Sequence, residues 1–347
     1  MPANPLNKAA ILMVAIVLTS LIAWELFLRN KGITVAYDDG PALWSHKRSM
    51  VYEPADKSTV FIGSSRIKYD LDIDTWEDIT GDHAIQLAVE GQSPRPALYD
   101  LADDKNFKGR LIIDVTEGLF FSNSPGAMRE IAPNIKFFKD LTPAQQVSFQ
   151  LNKIVESQLV FLDKDNFSLN AELDKLEIRS RPGVFMMPIF PLDFGRNTFD
   201  RQAKMTDKFV ADTNLHNRVK AIWNFFRSLD RNPPPSGTAL DSTFQFIKTA
   251  TDKIKARGGQ VLFVRTPSSG AFWQGEQMGF PREKYWNKLL EITNCTGIHF
   301  SDYPPMANFI CPELSHLTPA DAVVFTKAFI KILHEEKGWT FPKLSAL

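Results

Sequence analysis

The chain is poor in cysteine, with only Cys295 and Cys311 among its 347 residues. The two form no Cys-x-x-Cys pair and no Cys/His cluster at zinc spacing, so we expect no metal and no cofactor. Two buried free thiols are one interpretation of this pair. The other is a disulfide that closes a loop of about 17 residues, which we expect if the domain is exported.

The chain also lacks a net charge, because 40 lysines and arginines balance 40 aspartates and glutamates. Broad electrostatic capture of nucleic acid needs an excess of positive charge, so we expect no nucleic-acid partner. No internal repeat or low-complexity tract is visible. The apolar fraction of 44% and the charged fraction of 23% are ordinary for a globular protein, which makes a sizeable core feasible.

Charge is absent from residues 9–24, and with residues 26–28 they give about 20 mostly apolar residues, enough to span a bilayer. A cleaved signal peptide is the alternative, but bulky side chains follow the run in place of a small-x-small cleavage site. We therefore predict that residues 1–31 are an uncleaved single-pass anchor in the cytoplasmic membrane. The flanking positive charges are nearly balanced. Since an N-terminal anchor usually exports a large domain behind it, we place the domain on the extracytoplasmic side.

Beyond the anchor, we interpret residues 32–56 as a polar, irregular juxtamembrane linker and residues 57–347 as one domain. Buried strands, which alternate with helices, are predicted at residues 59–62, 84–89, 110–115, 260–265 and 297–301. This alternation predicts the α/β class, with a doubly wound parallel sheet and helices on both faces. Residues 120–238 break the alternation and predict a largely helical insertion.

A Gly-Ser-Ser turn follows the first predicted strand. Open α/β sheets place their sites at the C-terminal edge of the strands, so a serine on this turn is exposed there. We predict that Ser65 is a nucleophile, with Ser64 as the competing choice. The backbone N–H of Ser65 can also face a developing oxyanion.

A histidine with a nearby acid precedes the last predicted helix, which starts with Thr318 as N-cap and a proline at the first position. We predict that His316 is the general base for Ser65. Such a base needs a carboxylate that fixes its tautomer. Glu313, three residues earlier, is the predicted acid, and Asp302 is the alternative.

These segments resemble the motif blocks of the SGNH hydrolase superfamily, also called GDSL-like. The matching segments are residues 63–66 (GSSR), 87–91 (LAVEG) and 313–316 (ELSH). The resemblance implies a flavodoxin-like sheet, a nucleophile at Ser65 and not at Ser64, and the Gly91 N–H as an oxyanion donor. In order and spacing it covers residues 57–118 and 239–336, on either side of the insertion.

The chain departs from the family pattern at three positions. Ser64 replaces the usual Asp before the nucleophile, and Glu313 replaces the usual Asp before the histidine. No Asn stands near Thr116 or Glu117, where the family has its Asn donor. Thr116 and Arg66 join Gly91 as candidate oxyanion or substrate contacts.

An N-terminal anchor combined with Gly-Ser-Ser is similar to the membrane-tethered members of this superfamily. Those include the alginate acetylation proteins and the teichoic-acid D-alanylation protein. The resemblance implies a serine-dependent O-acyltransferase that modifies a cell-envelope polymer, with a membrane-bound O-acyltransferase as its partner. Three alternatives stay open: a catalytically weak scaffold for that acyltransferase, a simple esterase, and an anchored binding protein whose Ser/His pairing is accidental.

Residues 184–194, inside the insertion, hold seven large apolar side chains interrupted by two prolines. Burial in a core is one interpretation. Contact with the bilayer or with an integral-membrane partner is the other, because the anchor holds the domain near a membrane. We predict that the segment lies near the catalytic edge and makes that contact.

Overall fold

The computed structural model describes residues 5–176, 187–229 and 232–344. The α-helices in these ranges are α1 (Pro5–Asn30), α2 (Pro41–Ser49), α3 (Ser65–Asp70), α4 (Ile73–Thr80), α5 (Arg95–Asp103), α6 (Glu117–Phe120), α7 (Ile131–Lys139), α8 (Pro143–Glu156), α9 (Lys164–Phe167), α10 (Leu169–Asp174), α11 (Asp207–Ala211), α12 (Thr213–Leu229), α13 (Gly237–Ala256), α14 (Gly270–Gly279), α15 (Lys288–Thr293), α16 (Pro304–Ala307) and α17 (Pro319–Glu335). Short 3₁₀ turns lie at Met50–Tyr52, Pro125–Met128, Val160–Leu162, Leu192–Phe194 and Phe300–Asp302. A π turn, Glu283–Asn287, leads into α15.

Five parallel strands form the sheet, and their C-terminal ends lie along one edge. They are β1 (Ser58–Ile62), β2 (His83–Gln86), β3 (Arg110–Asp114), β4 (Gln260–Arg265) and β5 (Thr296–His299). The spatial order is β2-β1-β3-β4-β5, and every adjacent pair is parallel. This is a doubly wound order of the flavodoxin-like kind. The predicted α/β class with a parallel sheet is therefore confirmed.

Both faces of the sheet are buried, as near-continuous apolar strands predict. Successive strand residues point to opposite faces. Val60 and Ile62 therefore belong to one apolar cluster, with side chains of α5 and α13. Phe61 belongs to a second cluster, with side chains of α4 and α17.

The two cysteines lie on opposite faces of this sheet. Cys295 packs against the cluster that contains Val60, and Cys311 belongs to the cluster that contains Phe61. Both are free thiols, so the prediction of a disulfide between them in an exported domain is wrong. The sheet separates the two side chains, which their spacing along the chain does not reveal. Burial raises the pKa of both thiols, which makes them poor nucleophiles at neutral pH.

The stretch predicted as an irregular linker contains an ordered helix, α2. Trp44 is fully buried, and its indole N–H donates to the Leu87 carbonyl at 3.0 Å. Arg48 is also buried and pairs with Asp100 and Asp104 at 2.9 and 2.8 Å. The interpretation of residues 32–56 as irregular is therefore wrong for residues 41–52. A helix of 9 residues is too short to show a clear apolar repeat in the sequence.

The chain divides into two compact units. One unit combines Met1–Asp38 with Thr142–Ile189, and the other combines Asp39–Leu141 with Phe190–Leu347. The second unit contains the whole sheet. The predicted insertion at residues 120–238 is therefore split. Its central part belongs to the unit of the N-terminal helix, and its first and last parts belong to the unit of the sheet.

The unit formed by Met1–Asp38 and Thr142–Ile189 contains helix α1. Among the described residues, α1 is the one helix long and apolar enough to cross a membrane, with a mean hydropathy of 2.4 over 18 residues. Near its end, the Glu25 carboxylate accepts the backbone N–H groups of Val160 and Phe161, each at 3.1 Å. Arg29 donates to the Gln158 carbonyl at 2.5 Å. These bonds fix the turn after α8 to the C-terminal end of α1.

Candidate active site

The nucleophile turn lies at the C-terminal end of β1. A Cβ on Gly63 would lie 2.6 Å from both Asp114 Cβ and Ile67 Cγ2, so only glycine allows this close approach to β3. Ser64 is the N-cap of α3, and Ser65 is its first residue. The local sequence thus places a half-exposed Ser65 on the edge of the sheet.

Ser65, His316 and Glu313 form one hydrogen-bonded chain. Ser65 Oγ lies 2.8 Å from His316 Nε2, and His316 Nδ1 lies 2.8 Å from Glu313 Oε1. An ionised carboxylate only accepts hydrogen bonds, so the imidazole proton lies on Nδ1 and Nε2 accepts from the Ser65 hydroxyl. The structure therefore brings the three predicted residues together in the order of nucleophile, base and orienting acid.

Glu313 is completely buried, and its carboxylate is surrounded by donors. Oε1 also accepts the backbone N–H groups of His316 at 2.7 Å and Ser315 at 3.3 Å, so the longer glutamate arm folds back over its own loop. Burial alone would raise the pKa of Glu313, but the His316 imidazole and the N–H donors hold it below its usual value. Asp302, the alternative acid, pairs instead with Arg282 at 2.5 and 2.6 Å.

A tryptophan that the sequence did not single out completes this environment. Trp223, on α12, donates its indole N–H to Glu313 Oε2 at 2.5 Å. Both carboxylate oxygens of Glu313 are therefore held in place. The contact joins residues 90 positions apart, so no local pattern indicates it, although α12 lies in the insertion that the sequence predicts to be largely helical.

Trp223→Phe is expected to lower kcat about tenfold with little change in KM, because it removes the donor and keeps an aromatic ring. A hydrogen bond to a charged group contributes about 1.5–3 kcal/mol. The Trp223 N–H is one of the donors that hold the pKa of Glu313 below its usual value. With this donor removed the pKa of Glu313 rises, so the acid limb of the pH–rate profile should move to higher pH. Steady-state ester cleavage by the full chain across pH measures both effects.

Trp223→Leu, which removes the ring as well, separates packing from hydrogen bonding in that experiment. We expect a larger loss of thermal stability in Trp223→Leu than in Trp223→Phe, with a similar displacement of the acid limb. An unshifted pH profile in both variants would show that Trp223 only packs against the site.

Aromatic rings enclose the imidazole of His316. The ring centroids of Tyr69, Phe194 and Trp223 lie 4.5, 5.6 and 6.0 Å from that of His316. Phe190 in turn stacks on Phe194 at 5.5 Å. These rings limit the access of bulk water to the base, which strengthens the electrostatic interactions around it.

This aromatic group includes part of the apolar segment predicted at residues 184–194. Phe194 is buried and Phe190 is partly buried, which agrees with the core interpretation for these two residues. Their position near the catalytic edge is as predicted. Met187 and Ile189 are exposed, and residues 184–186 lie outside the described residues. Contact of the segment with a bilayer or a membrane partner stays a prediction.

The glycine turn lies next to the nucleophile turn. Val89 donates its backbone N–H to the Gly63 carbonyl at 3.2 Å, and Glu90 pairs with a lysine of α3 at 2.9 Å. Gly91 follows with a φ of +67°, a conformation that favours glycine. Within the described part of the chain, no hydrogen bond uses the backbone N–H of Gly91 or Ser65, so both remain available to an oxyanion.

Thr116 and Ser64 brace the nucleophile turn from the inside. Ser64 is 1% exposed, and its Oγ lies 2.7 Å from Thr116 Oγ1 and 3.3 Å from Asp114 Oδ2. The Thr116 hydroxyl also lies 3.1 Å from that Asp114 oxygen. Because one hydroxyl proton serves these contacts, Thr116 stabilises the turn and does not present a free donor. Ser64 is buried, which leaves Ser65 as the accessible serine.

Arg66 lies in a buried ion network behind the turn. It is 2% exposed, its Nε donates to Ser315 Oγ at 3.2 Å, and its guanidinium pairs with Glu276. Glu276 also pairs with Arg265. Arg66 therefore connects α3 to the loop that carries His316, and its burial suits a positioning group better than a direct substrate contact.

Within the described ranges, no group of three or more His, Cys, Asp or Glu side chains is arranged to hold a metal ion. No protein-family model matches the chain, and no curated protein matches its sequence. The fold and the hydrogen-bonded chain at Ser65 define an α/β protein with a Ser–His–Glu site. Membership of the SGNH superfamily is a proposal that this geometry supports.

Proposed function

We propose that the protein is a membrane-anchored SGNH-like enzyme that transfers an acetyl or similar acyl group onto a cell-envelope polymer. The hydrogen-bonded chain from Ser65 through His316 to Glu313 carries this proposal. It supplies a nucleophile, a base and an orienting acid for an acyl-enzyme. Helix α1 supports a single-pass anchor in the cytoplasmic membrane, and we place the site on the extracytoplasmic side.

In the first step, Ser65 Oγ attacks the acyl carbonyl while His316 Nε2 takes the hydroxyl proton. The tetrahedral intermediate places its oxyanion on the free N–H groups of Ser65 and Gly91. The donor's oxygen then leaves with the proton from His316, and the acyl group stays on Ser65. Glu313 remains ionised and stabilises the imidazolium.

In the second step, a polymer hydroxyl takes the place of the leaving group. His316 removes the proton of this hydroxyl, and the hydroxyl oxygen attacks the acyl carbon. Ser65 Oγ then leaves and takes back the proton from His316. One ester is exchanged for another, so protons and electrons balance without a co-reactant.

Competition from water decides between transfer and hydrolysis. The aromatic rings of Tyr69, Phe194 and Trp223 around His316 limit water at the base, which favours a polymer hydroxyl as acceptor. In a simple esterase, water would take the acyl group from Ser65 in preference to a polymer hydroxyl. The second alternative, a catalytically weak scaffold for a membrane-bound O-acyltransferase, is favoured by the missing Asn near Thr116, and it predicts no acyl-enzyme.

The acyl-enzyme is the direct test. The full chain in detergent is incubated with p-nitrophenyl acetate and analysed by peptide mass spectrometry. We expect one acetyl group on Ser65 and none on Ser64. A soluble polysaccharide should then remove that acetyl group faster than water does.

This experiment separates the transferase, the esterase and the two alternatives without catalysis. Absence of acylation at Ser65 contradicts the enzyme and leaves the scaffold and the anchored binding protein. Loss of the acetyl group at one rate with and without polysaccharide identifies an esterase.

A further inference from the structure

Helix α8 has no buried residue, although one side of it is apolar. A capping box between Thr142 and Gln145 and a proline at the first position define its N-terminus. Leu151 and Ile154 are each 61% exposed. Spacings of three and four residues place the exposed apolar side chains on one side of the helix, which we call the outer face: Val147, Leu151, Ile154 and Val155.

The opposite side of α8 is the one that the protein covers in part, since Phe149, Lys153 and Glu156 are half-buried. A surface helix of a soluble protein turns its apolar side inward and its polar side to water. Helix α8 does the reverse. A helix of this length is marginal on its own in water, so a partner over the outer face would stabilise it.

Exposed leucines also lie on α10 and just beyond it. Leu169 and Leu173, one turn apart, are 75% and 50% exposed, and Leu176 just beyond the helix is 57% exposed. Both helices belong to the same compact unit as α1. One unit thus combines a helix of bilayer length with a second apolar surface that this chain leaves uncovered in its described ranges.

Hydrogen bonds attach the residues that follow α8 to the C-terminal end of α1. Glu25 binds two consecutive backbone N–H groups that start at Val160, each at 3.1 Å. Arg29 binds the carbonyl of Gln158, two residues beyond the end of α8, at 2.5 Å. If α1 spans a bilayer, its C-terminal end lies in the headgroup region. The same bonds then hold the end of α8 at that depth.

We infer that the outer face of α8 lies in the headgroup region of the lipid bilayer, as an interfacial helix. The inference depends on the anchor proposed above and not on the acyl chemistry. Helix α8 carries one cationic and one anionic side chain, Lys153 and Glu156. Its contact with lipid is therefore apolar burial and does not need anionic lipid.

Fluorescence quenching in proteoliposomes tests this contact with the full chain. A nitrobenzoxadiazole probe is attached at Leu151→Cys, in a background that carries Cys295→Ser and Cys311→Ala. The matched control is Asn152→Cys, one residue further and about 100° around the helix, and Ile16→Cys in α1 is the depth reference. We expect nitroxide-labelled phosphatidylcholine to quench the probe at position 151 about threefold more than at 152. Aqueous iodide should quench the probe at position 152 more than at position 151. We expect both results in neutral and in anionic vesicles.

The outcomes separate the surface contact from the anchor. Quenching by lipid at position 16 but not at 151 overturns the inference and leaves the anchor intact. A probe at 151 that neither quencher reaches also overturns it, because a second copy of the chain would then cover the face. Absence of lipid quenching at position 16 overturns anchor and contact together, without bearing on Ser65.

A benzophenone amino acid at position 151 of the chain with its native cysteines gives an independent measurement. Crosslinks to lipid support the contact, and crosslinks between protein chains overturn it.

Discussion

Replacement of Ser65 by alanine is expected to lower kcat for ester cleavage by a factor on the order of 10⁴ while the chain stays folded. The substitution removes the attacking oxygen, which lies 2.8 Å from His316 Nε2. Ser65 is half-exposed at the first residue of α3, so losing its hydroxyl costs about 1 kcal/mol or less. Initial rates with p-nitrophenyl acetate and a thermal melt measure the two effects.

Ser64→Ala is the matched control, with the opposite expected pattern. It keeps the nucleophile but removes the N-cap of α3 and the contacts with Thr116 and Asp114. Stability should fall by about 1 kcal/mol, and kcat should fall far less than in Ser65→Ala. Full activity in Ser65→Ala, with the loss in Ser64→Ala, would show that Ser64 is the nucleophile.

The parts of the fold that the sequence predicts well are those with a local signature. Strand β4, at Gln260–Arg265, was predicted residue for residue, because a glycine pair and a Thr-Pro step bound its apolar run. Helix α17 begins at Pro319, where Thr318 caps it as predicted. Ser65 and His316 could be selected because each stands at such a boundary, where the element that precedes or follows places it on the sheet edge.

Features that depend on contacts between distant segments could not be predicted in this way. Trp223 reaches Glu313 across 90 residues, and Arg66 reaches Glu276 across 210. Glu276 lies on α14. This segment has glycines at both ends and in its middle, so the sequence does not indicate a helix there. Likewise, the spacing of Cys295 and the second cysteine could not show that the sheet lies between them.

Arg265→Met is expected to destabilise the protein by about 3–5 kcal/mol. Arg265 is fully buried at the end of β4, and all five of its N–H donors are used. They bind Glu117 at 3.1 and 3.2 Å, the Thr266 carbonyl at 2.6 Å, Ser268 Oγ at 2.8 Å, and Glu276. Methionine has a similar length but leaves Glu117 and Glu276 as buried carboxylates without the charge between them.

The effect of this substitution should depend on pH. Burial alone would raise the pKa of Glu276, but Arg66 and Arg265 hold it at about 2, below the ordinary 4.5. In the native chain this carboxylate therefore stabilises the fold above pH 4.5, and the contribution is lost as pH falls toward 2. In Arg265→Met, the pKa values of the buried carboxyls rise, so protonation favours the folded state. The difference in unfolding free energy between the two chains should narrow as pH falls.

Urea unfolding of the full chain in detergent, at neutral pH and near pH 4.5, measures this difference. Lys136→Met is the control, because it removes an ion pair with Asp140 whose side chains are 76% and 61% exposed, where water screens the charges. We expect the control to leave the midpoint unchanged at both pH values. An Arg265→Met midpoint no lower than that of Lys136→Met at neutral pH would show that the ion network does not stabilise the sheet edge. Arg66 would then have no rigid partner through which to hold the loop of His316.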